Sequence, residues 1–308
     1  MGVDILQSIS VRDLRYSYNG LYAVDGINFN VSQGEIFGLL GPNGAGKTTT
    51  TEILVGLKKG GEGEVRVLDL DPRVDAKDLK SRIGAQLQTP ALFDKLTVYE
   101  LISLFASFYP HPLPIHEVIE MVGLTDKKKS LAKKLSGGQL QRLSVGLALI
   151  SNGEIIFLDE PTTGLDPQSR RNLWDVIEKI KSEGRTIFLT THYMDEAEKL
   201  CDRVAIIDKG KIIAIGTPRE LIQIHFEEQA LEFNIRANQI DTVKNILPPT
   251  ARLELEDERA TVYTKEVPET IKALLSLSDN GFELAQFTVR SATLEDVFLK
   301  LTGRRIRE

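Results

Sequence analysis

The chain has 308 residues, is 42% hydrophobic and carries a formal net charge of −6, from 38 Lys and Arg against 44 Asp and Glu. That length supplies two domains with cores of their own, and the acidic balance argues against nucleic acid as the main partner, because phosphate-backbone binders show a basic footprint. A single cysteine, Cys201, excludes an internal disulfide, and no apolar run approaches the ~18 residues of a membrane span. The first residues, MGVDILQSISVRD, lack the basic, apolar and small-residue order of a signal peptide, so a cytosolic chain is expected.

The apolar run from Glu35 to Leu40 predicts a buried strand. It leads into Gly41, Pro42, Asn43, Gly44, Ala45, Gly46, Lys47 and Thr48, and then into a helical stretch, TTTTEILVGL. Gly41, Gly44 and Gly46 lack Cβ atoms, so positive φ values are expected there, with backbone amides turned toward a polyphosphate. The helix behind the loop adds the positive end of its dipole. In this setting Lys47 is expected to reach the β- and γ-phosphates, Thr48 to place its hydroxyl on Mg²⁺, and the Thr49 amide to add a phosphate contact.

The next long segment, about 90 to 150, reads as helical. TVYELISLFASFY has apolar residues at helical spacing, and HEVIEMVGL gives a second helix after the break at Pro110, Pro112 and Pro114. Lys127, Lys128 and Lys129 read as a solvated turn. Leu135, Ser136, Gly137, Gly138 and Gln139 then precede a helix, QLQRLSVGLALI, so a hydroxyl and amides gather at another positive dipole end. Ile155 to Leu158 form a buried strand that delivers Asp159 and Glu160 to its C-terminal end, where open α/β sheets bind ligands. Asp159 is placed to hold Mg²⁺ through water, and Glu160 to polarise an attacking water. A further apolar strand, TIFLT, ends near His192; Cys201 reads as a buried helix residue.

From residue 226 the pattern changes to strand (LEFNI), helix (QIDTVKNIL), two strands (ARLELED and RATVYTK) joined near Asp257 and Glu258, helix (VPETIKALLSLS), strand (FELAQFTVR) and a last helix, TLEDVFLKLTG. The first six elements make a βαββαβ order, the split-βαβ or ferredoxin-like pattern.

The sequence LSGGQ at 135–139 is the signature of the ABC ATPases. With the glycine loop at 41–48 and the carboxylates at 159 and 160, the chain resembles the ATP-binding subunit of a bacterial ABC transporter of the ABC-2 drug and lipid exporter type, whose membrane domain is a separate polypeptide. HYMDEAEKLCDRVAIIDKGKIIAIGTP at 192–218 and ATLEDVFLKLTG at 292–303 extend the likeness. The resemblance implies an α/β fold: a P-loop NTPase of ABC ATPase type over 1–225, with a RecA-like core, an antiparallel β subdomain and the helical subdomain. A small C-terminal α+β accessory domain, ferredoxin-like, follows over 226–308.

It also implies ATP and Mg²⁺ as ligands, and hydrolysis coupled to transport. Two ATPs are sandwiched between two nucleotide-binding domains, with Ser136, Gly137, Gly138 and Gln139 facing the γ-phosphate held by a second subunit. Gln88 matches the glutamine that touches Mg²⁺ and senses the γ-phosphate, with Gln86 as the nearby alternative. Asp166, in TGLDP, matches the loop that crosses to the partner; His192 matches the histidine that contacts the γ-phosphate and orients the water. An aromatic ring upstream of the loop is expected to stack on adenine. Tyr18 has the family spacing, and Tyr16 and Tyr22 are the alternatives. The implied partners are a separate integral-membrane subunit, docked by the helical subdomain at the cytoplasmic face of the membrane, and a second nucleotide-binding domain, identical or different. The rival reading is a soluble ABC-type ATPase acting on ribosomes or DNA. Such proteins usually carry two cassettes or an inserted coiled coil, whereas one cassette is present here and no sustained heptads join Lys47 to Ser136.

Overall fold

Strand Ile36–Leu40 is buried along its whole length because it has a parallel neighbour on each side, Thr186–Thr191 and Arg203–Asp208. A strand covered on both edges and both faces must read as an unbroken apolar run, and IFGLL does. It belongs to a six-stranded sheet whose order continues from Thr186–Thr191 to Ile155–Asp159 and Ile83–Gln86 on one side. On the other side Arg203–Asp208 pairs with Lys211–Gly216, the one antiparallel pair of this sheet. The C-terminal ends of Ile36–Leu40, Ile155–Asp159 and Thr186–Thr191 therefore lie side by side, and the loops after them share one rim of the sheet.

A three-stranded antiparallel sheet, Leu21–Ser32, Gln7–Tyr18 and Glu62–Val67, packs against this core. Aromatic rings join the two layers: Phe29 stacks on Phe37 at 5.4 Å, Phe37 on Phe188 at 6.0 Å, and Phe157 tilts against Phe188 at 5.6 Å. The helical part is built from Val98–Ala106, Ile115–Met121 and Gly137–Leu149. The first begins with a capping box between Thr97 and Glu100. Gly146 of the third faces Val118 and Val122 at the second. Lys127, Lys128 and Lys129 are exposed.

The computed structural model describes residues 6–88, 92–226, 229–236, 239–256, 259–278 and 287–304. Among them no helix is long and apolar enough to cross a membrane. Two compact units are present, divided between Pro218 and Arg219. The division falls one residue into helix Pro218–His225, whereas the change of sequence pattern predicts it at 225/226.

The second unit holds a four-stranded antiparallel sheet in the order Arg252–Glu256, Arg259–Thr264, Gln229–Asn234, Thr288–Ser291. With helices Ile240–Ile246 and Val267–Ser278 as its crossovers, this is the split-βαβ order expected from the sequence. The junction near Asp257 and Glu258, and most of FELAQFTVR, lie outside the described residues. Alternation divides the strands: Leu231, Phe233, Ala260 and Val262 enter a core with Val243 and Leu274. On the other face Glu232 and Tyr263 are buried as well. Glu232 pairs with Arg259 and Arg290, and Arg290 also holds Asp296 of the last helix, Leu294–Thr302 (Nη1 to Oδ2, 2.5 Å). Tyr263 donates to Asp296 Oδ1 at 3.2 Å. Burial, with the nearby Asp296 charge, pushes the Tyr263 hydroxyl up to about 12, so it stays a donor. Arg290→Ala is expected to cost this unit about 3 kcal/mol, because it leaves buried Asp296 without a cation and Glu232 with Arg259 alone. Urea unfolding followed by Tyr263-sensitive near-UV dichroism measures it; an unchanged midpoint would show the network to be dispensable.

Candidate nucleotide site

The glycine loop follows strand Ile36–Leu40 and ends in helix Lys47–Leu54, N-capped by Gly46. Gly44 and Gly46 take positive φ, 78° and 108°, as only glycine does cheaply. Gly41 does not, and here the sequence expectation is corrected. Gly41 is needed for close approach: a Cβ there would lie 2.2 Å from the Ile207 carbonyl oxygen on the neighbouring strand. The amides of Lys47, Thr48 and Thr49 open the helix and have no intrahelical acceptor. Pro42, Asn43 and Ala45 complete the turn, which Ala45 N closes by donating to the Pro42 carbonyl at 3.2 Å.

Lys47 is turned back over this loop. Its Nζ donates to the carbonyls of Gly41 (2.7 Å) and Pro42 (3.1 Å) and lies 2.9 Å from Glu160 Oε1. His192 Nδ1 lies 3.2 Å from Glu160 Oε2, and the Thr163 hydroxyl donates to the same oxygen at 3.1 Å. Residues as distant in the chain as Lys47 and His192 thus meet at one carboxylate, because the strands that precede them and Glu160 are consecutive in the sheet. Glu160 sits at φ 50°, a left-handed value uncommon for a residue other than glycine. Burial alone would raise its carboxyl. The close approach of His192 and Lys47, with the charge of Lys47, outweighs that and holds it down at about 2.

The adjacent Asp159 is fully buried. Burial raises its carboxyl above the ordinary range, against the hydroxyls of Thr190 and Thr48. Thr190 serves both acidic residues: its hydroxyl donates to Asp159 Oδ1 at 2.5 Å and accepts from the Glu160 amide at 3.0 Å. The parallel register Asp159↔Thr190 sets this up. Asp159 Oδ2 completes no hydrogen bond among the described residues.

Gln88 lies exposed two residues past the end of strand Ile83–Gln86 and makes no hydrogen bond among the described residues. Gln86 is the buried one, and its amide donates to the carbonyls of Leu87 (2.8 Å) and Asp159 (3.4 Å). Tyr18 is the ring at the loop: its hydroxyl is 3.4 Å from the Thr49 hydroxyl, and Lys58 stands 5.1 Å over its face. Tyr16 meets Tyr18 edge-on at 5.1 Å and packs on the core, while Tyr22 is exposed.

The signature segment sits elsewhere in the chain. Ser136 N-caps helix Gly137–Leu149 in a capping box with Gln139, and Ser136 and Gly137 are exposed. Gly138 abuts helix Pro167–Ser182, where a Cβ would meet the Ser169 hydroxyl at 2.5 Å. Asp166 caps that helix, accepting from the amides of Gln168 (3.0 Å) and Ser169 (2.9 Å) and from the Ser169 hydroxyl (2.7 Å). Those bonds hold the Asp166 carboxyl below its ordinary value. Signature and Asp166 loop are thus one assembly. Cys201 is buried beside Gly38, one residue beyond helix Met194–Leu200 rather than inside it, and burial pushes its thiol up.

Sequence reasoning passed over Thr190, although a threonine inside an otherwise apolar strand is a readable signal. It also passed over Glu196 and Trp174, which no motif links.

A phosphate-cradling loop, a strand-end carboxylate pair and a six-stranded α/β core define a P-loop ATPase. The family model described as ABC transporter matches residues 24–163. The Nod factor export ATP-binding protein I of Ralstonia nicotianae is 35% identical over 100% of this chain and 97% of its own length. The protein of the same name from Rhizobium meliloti is 36% identical over 98% of the chain and 90% of its own length. Among solved structures, cbiO1 from Clostridium perfringens, part of the ABC transporter complex cbiONQ, aligns with a TM-score of 0.64 at 30% identity. That alignment covers 70% of this chain and 91% of cbiO1. MJ0796, a bacterial ABC transporter cassette solved as a dimer, aligns at 0.61 and 26%, covering 68% and 98%. The chain belongs to the ATP-binding proteins of ABC transporters. It is an ABC ATPase that binds and hydrolyses nucleotide.

Proposed function

We propose that this chain is the ATP-hydrolysing subunit of an exporter, working at the cytoplasmic face of the membrane on a separate integral-membrane subunit. The observation that carries the reading is the meeting of Lys47 and His192 on the buried Glu160 carboxylate above the glycine loop. Export as the direction of work rests on the relatives, which are named for Nod factor export.

In this reading the loop from Gly41 to Thr49 holds the phosphates through its amides, Lys47 neutralises them, and Tyr18 stacks on the base. Glu160 takes the proton of the attacking water, and His192 orients that water toward the γ-phosphate. Thr48, Asp159 and Gln88 would hold Mg²⁺, and the unpartnered Asp159 Oδ2, buried beside the Thr48 hydroxyl, is an oxygen donor of the kind that cation requires. When bound, Mg²⁺ screens charge on the phosphate oxygens. One chain has one loop and one signature, so Ser136, Gly137, Gly138, Gln139 and Asp166 would complete the site of a second nucleotide-binding domain. Every residue given a role in this chemistry lies within 1–225.

The test is to recover tagged full-length chain with ATP and Mg²⁺ from detergent-solubilised membranes of its host, and to identify what accompanies it by mass spectrometry. A polytopic membrane protein is expected. Ribosomal or DNA-associated proteins without a membrane partner would overturn the reading in favour of a soluble ABC ATPase.

A further inference from the structure

Helix Met194–Leu200 begins immediately after His192 and carries Glu196, whose side chain is 0% exposed. A carboxyl is costly inside a protein, and this one has no cationic partner among the described residues to offset the cost. Its partners are neutral. Trp174 Nε1 donates to Glu196 Oε1 at 3.0 Å, from helix Pro167–Ser182. Burial raises the Glu196 carboxyl above its ordinary value, and only the hydroxyls of Thr191 and Thr162 and the Trp174 indole act against this. Glu196 Oε2 and the Thr162 hydroxyl each complete no hydrogen bond. A leucine would pack there at lower cost, so the polar group calls for another explanation.

Its surroundings supply one. Thr191 and Tyr193 flank His192, and the Thr191 hydroxyl accepts the Tyr193 amide at 2.9 Å. Thr162 lies two residues beyond Glu160, in the loop whose Thr163 bonds that carboxylate. Trp174 comes from the helix that Asp166 caps. One turn earlier on that helix, Arg170 stacks 3.9 Å from the Tyr193 ring centroid and lies 3.5 Å from Asp195. Arg170 and Trp174, four residues apart, stand on one helix face and both grip the turn that bears His192.

We propose that Glu196 is a positioning residue for His192, fixing the His192 turn to the Asp166-capped helix through Trp174. This rests on the reading of His192 as a catalytic residue. Movement of the Asp166 end of the helix is then passed to His192 by side-chain contacts.

The test uses the full chain and measures ATPase kcat and KM, with melting temperature, for Glu196→Leu, Trp174→Phe, His192→Ala and each of the first two combined with His192→Ala. The first two variants are expected to lower kcat on the order of tenfold, as small misplacements of a reacting group do, with KM within about twofold. The melting temperature of Glu196→Leu should hold or rise, because an unsatisfied buried group has been removed, while that of Trp174→Phe should fall modestly, because Glu196 Oε1 loses its donor. In the His192→Ala background the same changes should have no further effect. If Glu196→Leu does not fold, Trp174→Phe carries the test alone. An intact kcat in both variants, whatever the melting temperatures, would make Glu196 structural only, and additive losses in the double variants would sever it from His192. If His192→Ala itself turns over normally, the underlying reading of His192 fails.

Discussion

Glu160→Gln is expected to bind ATP and to turn it over on the order of a hundred to ten thousand times more slowly, the range that general-base groups supply. The amide matches the carboxylate in shape, so the approaches of Thr163 and His192 are kept in outline, but it cannot accept a proton. Lys47 loses its anionic partner and is left freer for the phosphates. Phosphate release and equilibrium binding of ATP, measured together, separate the two effects. Turnover near that of the unaltered chain would remove Glu160 from the proposed chemistry. The pH behaviour follows from the depressed carboxyl. Because its folded value is about 2, it is ionised everywhere above the ordinary carboxylate range, and protonation sets in only as pH falls toward 2. An acid limb near pH 5 in kcat/KM, which reports the nucleotide-free chain, would therefore belong to another group.

Lys47→Ala should produce the second large effect, on binding and on stability at once. The Lys47 and Glu160 side chains are 3% and 4% exposed, and removing one member of a buried pair costs about 3–5 kcal/mol because the other stays desolvated. The loss should shrink as pH is lowered, since Glu160 without its cation can take up a proton, and should largely disappear in Lys47→Ala combined with Glu160→Gln. Urea unfolding of the four proteins measures this cycle. Equal costs for Lys47→Ala in both backgrounds would mean the pair contributes nothing as a pair. ATP affinity should fall at least on the order of tenfold in either case, because the lysine is the loop's one full positive charge. The ion pair also makes the base conditional: with Lys47 against it the carboxylate is too acidic to accept protons well, and a phosphate that draws Nζ away restores its basicity.

Local grammar made much of this molecule readable. Glycines before a Lys-Thr pair, apolar runs ending in acids, and Ser136 three residues before Gln139 depend on neighbours a few positions away. So do the helices Ile240–Ile246 and Val267–Ser278, where apolar periodicity placed the elements within a residue or two. What sequence reasoning missed depends on contact between distant segments. The role of Gly41 is set by Ile207, that of Thr190 by a strand 31 residues earlier, and that of Glu196 by Trp174 on a different helix. Glu196 sits among exposed-looking acids in MDEAEKL, and only packing distinguishes it from Asp195 and Glu198. The two glutamines show the remaining gap: spacing favours Gln88 by resemblance, yet the backbone buries Gln86 beside Asp159 and leaves Gln88 outside.

The clamp that Thr190 places on both acids also governs how such chains can diverge in length. Side chains in a strand alternate between faces, so one residue added to or lost from Ile155–Asp159 or Thr186–Thr191 would turn Asp159 or Thr190 to the opposite side. Lineages can insert freely in surface turns such as that around Gly60 and Gly61. In these two strands even a chemically neutral insertion would be purged, so alignments of related chains should run without gaps across both.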